Sequence, residues 1–586
     1  MKILSVHLGH NATAALAEDG AIIGVLSQEK CDNIKNSAAF PVDAIQALLK
    51  ENDWHIDEIE EVVVSGNDVY PSRAYDYLFE PKNRIVDSSP LISAIKGLRD
   101  GVAGRIFPWP FEALRKFRGE KLSAEGHAEL KASLNSLGLG DRPRSHVEHH
   151  LCHARAAYHA LQPNNNREPA LVFTMDGSGD GLCATVTKVD EEGRFERLAE
   201  TPGSASLGGV YSNTTRFLGM KILEHEYKVM GLAPYAKKRY MLDTYERIFK
   251  PAIWLSESNP LVFESKCNAA RFYDYLAETA VGERFDNMGA ALQHLTEELI
   301  TQWIRNAIKA TGIHRIFTGG GVFMNVKLNQ QIQEMNEVHQ AFFMPSCGDE
   351  SNPVGACYDH AASKGISTSP LSNLFLGVSF SNDEIEAFID ERGLRKQYTV
   401  EKYDDIEARI ADLLAECQIV ARFAGRCEWG ARSLGNRAIL AHPSHMESFY
   451  TVNDYIKSRD FWMPFAPSML DSAAPNYLSN YRPEETKAPH MITAYAATEL
   501  GVEHLRAALH QGDHTLRPQV VEASASPKYH RLISLFEEKT GVGAVLNTSF
   551  NMHGYPLVAT PDQALLTLKN SELKFLSLEN YLISKK

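Results

Sequence analysis

The chain is poor in the features that would send it outside a reducing compartment or into a membrane. Its eight cysteines, at 31, 152, 183, 267, 347, 357, 417 and 427, form no C-x-x-C pair and are too sparse for a disulfide scaffold. They read as free thiols of a cytoplasmic protein. No run approaches the ~20 apolar residues of a membrane span, and the stretch Met1 to His10 is too short in apolar residues for a signal peptide. Positive charge is in deficit: 60 Lys and Arg against 74 Asp and Glu leave a net charge of -14. That excludes a generic nucleic-acid or anionic-membrane surface, so an anionic ligand must be met by a local pocket. Short-period repeats and low-complexity tracts are missing, apart from the small Asn164-Asn-Asn loop.

What is present is concentrated in a few segments. At 586 residues the chain should divide into two or three domains. Ile3 to Leu8, Ala14 to Leu16 and Ile22 to Leu26, turning at Asp19-Gly20, read as a strand and hairpin, and a helix follows near residues 41–50. This opening predicts an α/β domain. Residues 67–145, rich in aromatics and proline, read as an inserted, partly helical cap. An amphipathic helix is expected from about 287 to 310 and a strand from Arg315. Residues 366–400 read as a connection between a domain at 1–365 and a second at 401–586.

Residues 146–153 read His-Val-Glu-His-His-Leu-Cys-His. On a helix, the four-residue spacing of His149 and His153 stacks two imidazoles about 6 Å apart, close enough to share a metal ion. The apolar run from Ala170 then delivers Asp176, followed by Gly177-Ser178-Gly-Asp-Gly, a turn whose free N–H groups suit phosphate oxygens. Phe342-Phe-Met-Pro similarly precedes Asp349, and ligands collect at this edge of open α/β sheets. Asp349 would complete an N/O set with His149, His153 and Asp176, compatible with Fe(II), Mn(II) or Zn(II). Taken alone, a histidine-rich helix is also ordinary polar surface and Asp-Gly-Ser-Gly an ordinary turn. Gly319-Gly320-Gly321, ahead of Asn325, lies where a strand gives way to a helix, and fits either a nucleotide contact or a simple turn. It is neither a dinucleotide fingerprint nor a P-loop. Gly208 and the acid Glu226 are further candidates on this side, the latter for ribose hydroxyls.

The C-terminal part carries different chemistry. Arg426, Arg432 and Arg437 fall within 12 residues among glycines, and Lys457 and Arg459 add two more cations. Guanidinium forks bind phosphate bidentately, and glycines let the chain fold around a small anion. Arg517, Asn547, Ser549 and Asn551 supply further polar groups at expected strand ends.

Together these segments resemble the O-carbamoyltransferases of the nodulation and antibiotic-tailoring type, relatives of the hydrogenase-maturation carbamoyltransferase. The carrying motifs run nearly end to end: Gly9-His-Asn-Ala, Glu29 with Ile34-Lys35, His149-His-Leu-Cys-His-Ala, Met175-Asp-Gly-Ser-Gly, Tyr227-Lys-Val-Met-Gly-Leu-Ala-Pro-Tyr, Gly319-Gly-Gly-Val, Gly425 to Arg437, Met463-Pro-Phe-Ala-Pro, Thr515-Leu-Arg-Pro-Gln and Leu546-Asn-Thr-Ser-Phe-Asn. The resemblance implies an N-terminal duplicated actin-like ATPase (ASKHA) domain, as in the tRNA-threonylcarbamoyl transferase, and a C-terminal α/β YrdC-like domain. It implies that the C-terminal domain makes carbamoyl adenylate from carbamoyl phosphate and ATP, with Mg(II), and that the N-terminal domain passes the carbamoyl group to a small-molecule hydroxyl. His149, His153, Asp176 and Asp349 would then hold Fe(II) or another divalent ion. His10 would be the base for the acceptor hydroxyl, and Lys35 would meet phosphate or the carbamoyl oxygen. The two half-reactions are expected to be spatially separate, in different halves of the chain. Asn11, where the family usually has Asp, and Gln28-Glu-Lys-Cys, where it has Glu-Glu-Arg, depart from the pattern. The alternatives are a tRNA threonylcarbamoyl-type transferase, against which the acidic charge counts, and a non-enzymatic nucleotide-binding protein of the same fold.

Overall fold

The computed structural model describes residues 1–78, 109–162, 168–457, 459–484 and 487–586. Much of the expected cap and the Asn164-Asn-Asn loop lie outside the described residues; within them the cap contributes a helix, Trp109–Ser136. Two five-stranded sheets built on one plan form the N-terminal half. In the first, Lys2–His7 leads antiparallel through Thr13–Glu18 to Ala21–Ser27, and on its other side runs parallel to Glu61–Ser65 and then Arg144–Val147. In the second, Ala170–Gly179 occupies the equivalent central place. It leads antiparallel through Leu182–Val189 to Phe195–Pro202, and parallel to Arg315–Gly319 and Gln340–Phe343. Ile3 to His7 and Ala170 to Asp176 are buried without interruption, as strands covered on both faces must be.

After the fifth strand of each sheet comes a helix, His149–Leu161 in the first and Asn352–Ser363 in the second. The two pack on each other between the sheets, the earlier against the second sheet and the later against the first. Gly355 permits that approach: a Cβ there would stand 1.8 Å from the Cys152 carbonyl oxygen. The N-termini of both helices, and the ends of both central strands, therefore meet in one place.

The C-terminal half is a mixed eight-stranded sheet, ordered Tyr398–Lys402, Tyr581–Lys585, Phe575–Leu578, Val420–Phe423, Arg437–Ala441, Ala544–Ser549, Ala466–Leu470 and Gln519–Val521. Ala438 and Leu440 face a layer containing Ile410, Leu532 and Phe536, while Ile439 and Ala441 face Ile385, Leu565 and Leu568, the two-sided alternation of a covered sheet. Ile385 and Ile389 thus belong to this half, and the connection proper ends before the helix Asn382–Glu391.

Arg426 ties the halves together. Its guanidinium donates to the carbonyls of Gly377 at 2.8 Å, Leu376 at 2.9 Å and Ile23 at 3.1 Å. The buried Lys30 ammonium donates to the Glu428 carbonyl, and Gln563 Nε2 returns a bond to the Lys30 carbonyl at 2.9 Å.

The touching backbones at Gly355 give a test. Gly355→Ala forces the two central helices apart and should cost about 1–3 kcal/mol by overpacking, read as a fall in the unfolding midpoint. Because His149 and His153 ride on one of these helices, the same variant should bind divalent ions more weakly than wild type.

Candidate functional site

At the meeting point of the two sheets, ligand atoms of His149, His153, Asp176 and Asp349 lie within 4.8 Å of one another, and all four residues are buried. Each has a local reason to be there. Glu148 caps the first helix by accepting from the backbone N–H of His150 and Leu151, and the Asp180 carboxylate accepts from His149 N–H at 2.8 Å. One helical turn then sets His153 beside His149, their Nε2 atoms 3.2 Å apart. Asp176 lies near the end of the central strand of the second sheet, where the strand's buried run stops, its Oδ2 lying 2.6 Å from His149 Nε2 and 3.4 Å from His153 Nε2. Asp349, just before the second helix, brings Oδ1 to 3.6 and 3.5 Å from the same nitrogens. Two ring nitrogens and two carboxylates converging on one point, with Asp176 Oδ1 buried and without a hydrogen-bond partner, fit a divalent cation.

Charge explains the quartet's cohesion. Burial pushes the His149 imidazole down, but Asp176 and Asp349 outweigh it and hold the group at about 10. His153 is likewise raised, its bonds to Asp176 and Asp349 overcoming burial. Burial drives Asp176 and Asp349 up, yet the surrounding imidazoles, His150 and His149 for the first, His10 and His149 for the second, keep both carboxyls below their usual range.

A cavity of about 490 Å³ opens beside the quartet and is lined by both halves of the chain. From the N-terminal half, His10, Lys35, Asp176, Asp349, Gly177, Ser178, Gly208, Glu226, Gly321 and Asn325 reach its wall. His10 Nε2 lies 3.1 Å from Asp349 Oδ2. Glu226 is held by Ser212 Oγ and Leu223 N–H at 2.9 and 2.8 Å. From the C-terminal half come Arg432, Lys457, Arg459, Arg517, Asn547, Ser549 and Asn551. Among the described residues none of these four cations forms a salt bridge, and the Nε atoms of Arg432, Arg459 and Arg517 are buried without a partner. Burial lowers the affinity of Arg517 for its proton, and Arg432 and Arg459 lower it further. Lys457 is lowered in the same way, by burial and then Arg459 and Lys35. Such a cluster fits a multiply charged anion.

The structure separates residues that the sequence groups together. Arg426 and Arg437 do not line the cavity. Arg426 is the strut described above, and Arg437 points back through its own sheet, donating to the carbonyls of Ala424 at 2.8 Å and Gly425 at 3.0 Å. Both guanidiniums have backbone acceptors and need no phosphate. Gly319 and Gly320 also stand off the cavity wall; a Cβ at Gly320 would meet the Met175 carbonyl oxygen at 2.4 Å, so this glycine permits strand packing. The arginine pocket and the quartet share one cavity rather than occupying two separate sites.

A surrounding layer escaped sequence reasoning. His7 Nε2 lies 3.7 Å from Asp349 Oδ2, and burial holds it down at about 3. His150 Nδ1 lies 2.9 Å from Thr174 Oγ1, while Asn352 Nδ2, 3.3 Å from His149 Nδ1, and Ser351 Oγ, 3.2 Å from His153 Nδ1, orient the two imidazoles of the quartet. The available signal was a histidine closing an otherwise buried strand at His7. Glu350, which accepts from Ser346 Oγ at 2.5 Å, and Tyr227 also line the cavity and were assigned no role.

Residues 2–358 match the family model described as Carbamoyltransferase N-terminus, and residues 411–585 that described as Carbamoyltransferase C-terminus. An uncharacterized protein of Methanocaldococcus jannaschii is 30% identical, over 79% of this chain and 77% of its own. The nodulation protein NolNO of Sinorhizobium fredii is 26% identical, over 98% of this chain and 79% of its own. Among solved structures, full-length HypF in the phosphate- and nucleotide-bound form is similar at 14% identity and a TM-score of 0.32, over 63% of this chain and 56% of that one.

The raised imidazoles predict how the quartet meets a cation. An incoming divalent ion must displace the proton that His149 holds up to about pH 10, so affinity should rise with pH, up to about tenfold per unit for each proton displaced. Calorimetry with Zn(II) or Mn(II) from pH 6 to 8 should show this, together with proton release; pH-independent affinity would refute it. In ion-free protein the sign is opposite. A raised histidine contributes stability that is whole below its ordinary value of 6.5 and is lost as pH climbs toward about 10.

Proposed function

The chain belongs to the carbamoyltransferase family, and on that footing we propose an ATP-dependent O-carbamoyltransferase that completes two steps inside one cavity. We read the two like-ordered sheets as a duplicated actin-like domain and the eight-stranded sheet as a YrdC-like domain. The observation that carries the reading is the cation cluster of Arg432, Lys457, Arg459 and Arg517, in which no member forms a salt bridge among the described residues and three guanidinium Nε atoms are buried without a partner, opening onto the same cavity as the His/Asp quartet.

In the first step water cleaves carbamoyl phosphate to carbamate and inorganic phosphate. A carbamate oxygen then attacks the α-phosphorus of ATP, the new P–O bond replaces the bond to pyrophosphate, and carbamoyl adenylate remains. Arg432, Arg459, Arg517 and Lys457 hold the phosphates and neutralise charge as pyrophosphate departs, Mg(II) accompanying the nucleotide. Asn547, Ser549 and Asn551 line the same end, where Ser549 and Asn551 hold the Lys457 ammonium. In the second step the acceptor hydroxyl attacks the carbamoyl carbon, the C–O bond to phosphate breaks, and AMP leaves. His10 takes the hydroxyl proton at Nδ1, because its Nε2 is turned toward Asp349. Lys35 meets the carbamoyl oxygen or phosphate, and Glu226, Asn325 and the turn Gly177-Ser178 hold the nucleotide. A divalent ion, Fe(II) first and Mn(II) or Zn(II) next, held by His149, His153, Asp176 and Asp349, would supply Lewis-acid polarisation of the acyl phosphate. A shared cavity shields the labile adenylate from water between the steps. The acceptor is a small-molecule alcohol of the secondary-metabolite kind.

Carbamoyl phosphate and ATP together should release pyrophosphate and phosphate, whereas ATP alone should not; pyrophosphate release independent of carbamoyl phosphate would refute the assignment. Arg432→Ala and Arg517→Ala should each lower that release roughly 10²–10³-fold. Arg426→Ala should instead lower the unfolding midpoint while the folded fraction keeps near-normal release, since its guanidinium joins backbone carbonyls outside the cavity.

A further inference from the structure

The cation pocket of the C-terminal half is completed by the N-terminal half. We propose that Tyr227, on the helix Glu226–Leu232, contacts the substrate in that pocket, its phenol donating a hydrogen bond to an oxygen of the phosphate held by Arg432, Arg459 and Arg517. This rests on the phosphate reading given above and names a further residue for it. Tyr227 lines the cavity, and its phenol is close enough to act on the charge of all three guanidiniums.

Its position is fixed by the segment that carries Lys457 and Arg459. The next residue along the helix, Lys228, is buried and pairs with Asp460 at 3.0 Å, and Trp462 Nε1 donates to the Lys228 carbonyl at 3.2 Å. One turn on, Gly231 faces Trp462 and Met463 closely enough that a Cβ would meet Trp462 Cδ1 at 3.5 Å. The helix of one half and the cation segment of the other are therefore packed directly against each other.

The chemistry of the neighbours decides what the phenol does. Among the described residues no guanidinium lies over the Tyr227 ring, although Arg459 lies 5.0 Å over Phe465, so the ring face is not the point of contact. Its phenol forms no hydrogen bond with a described residue, and among the described aromatic rings it pairs with His225, centroids 6.5 Å apart and nearly perpendicular. Guanidinium and ammonium groups donate and never accept. They can satisfy the phenol oxygen, but its O–H needs an acceptor the surrounding cations cannot supply. An anionic oxygen bound among the three arginines supplies it. A neutral donor adds a bond to that anion without adding to the mutual repulsion of the cations.

Binding of inorganic pyrophosphate, measured by calorimetry at fixed ionic strength, tests this on wild type and Tyr227→Phe, with pyrophosphate release from carbamoyl phosphate and ATP followed in parallel. Tyr227→Phe should bind pyrophosphate roughly tenfold more weakly, the loss expected of one hydrogen bond to a charged group, with its unfolding midpoint unchanged. Equal binding by the two proteins overturns the contact, whether or not the reaction proceeds. Weakened binding in a protein whose wild type consumes no ATP upholds the contact and removes the reaction assignment instead. Should Tyr227→Phe unfold early, Asp460→Asn, which frees the helix from the cation segment while keeping the phenol, should weaken pyrophosphate binding in the same direction; unaltered binding there overturns the proposal too.

Discussion

The half-buried Arg432, Arg459 and Arg517 and the buried Lys457 gather four positive charges with no carboxylate paired to any of them among the described residues, and much of the molecule is arranged around that unfavourable fact. Taking an ion out of water costs several kcal/mol unless a partner compensates. The chain as a whole carries an excess of 14 negative charges, yet the acids that act on Arg432 and Arg459 are Glu350 and Asp460, and the second is paired with Lys228. A pocket kept in this state is set up for a ligand that brings its own negative charge. The rigid frame for it is the eight-stranded sheet, whose strand Ala544–Ser549 presents Asn547 and Ser549 to the same space.

The same cavity borders the His/Asp quartet, whose charges balance among themselves. Asp176 and Asp349 are held below the usual carboxylate range by neighbouring imidazoles and in return raise His149 and His153 above the ordinary histidine value, whereas burial keeps His150 down at about 4. The quartet's place follows from the duplicated strand order: two central strands end, and two helices begin, at one point between the sheets. Neither sheet alone supplies the four residues. His149 and His153 come from the helix of the first unit, Asp176 and Asp349 from the second.

What joins the two clusters is a set of contacts between the halves. Lys30 reaching the Glu428 carbonyl, Arg426 bridging Ile23 and Leu376, and Lys228 paired with Asp460 all tie one half to the other. Gly430, at φ +90°, brings the arginine loop against Ser346, where a Cβ would meet Ser346 Oγ at 2.3 Å. Ser346 in turn bonds Glu350, next to Asp349 of the quartet. The loop bearing Arg432 and the loop bearing Asp349 are thus in direct contact.

Much of this was legible in the chain. The spacing of His149 and His153 needs only a helix to bring them together, and Asp176 and Asp349 each come after a short apolar run that reads as a buried strand; local patterns point to both. The first hairpin, the helix at residues 285–311 and the strand at Arg315 follow from the same patterns. The arginines were another matter. Arg426, Arg432 and Arg437 look equivalent along the sequence, but the chain between them turns through positive-φ glycines at 430 and 435, and each reversal sends the next guanidinium elsewhere. Only the folded path shows that Arg432 faces the cavity while its neighbours face carbonyls. The meeting of both clusters in one cavity, and the presence of Tyr227 among arginines two hundred residues and more away, likewise depend on how the halves dock. Sequence periodicity reports on a residue's own element and the face it presents; which face of which other element it meets is decided by packing between distant segments, and no local pattern encodes that.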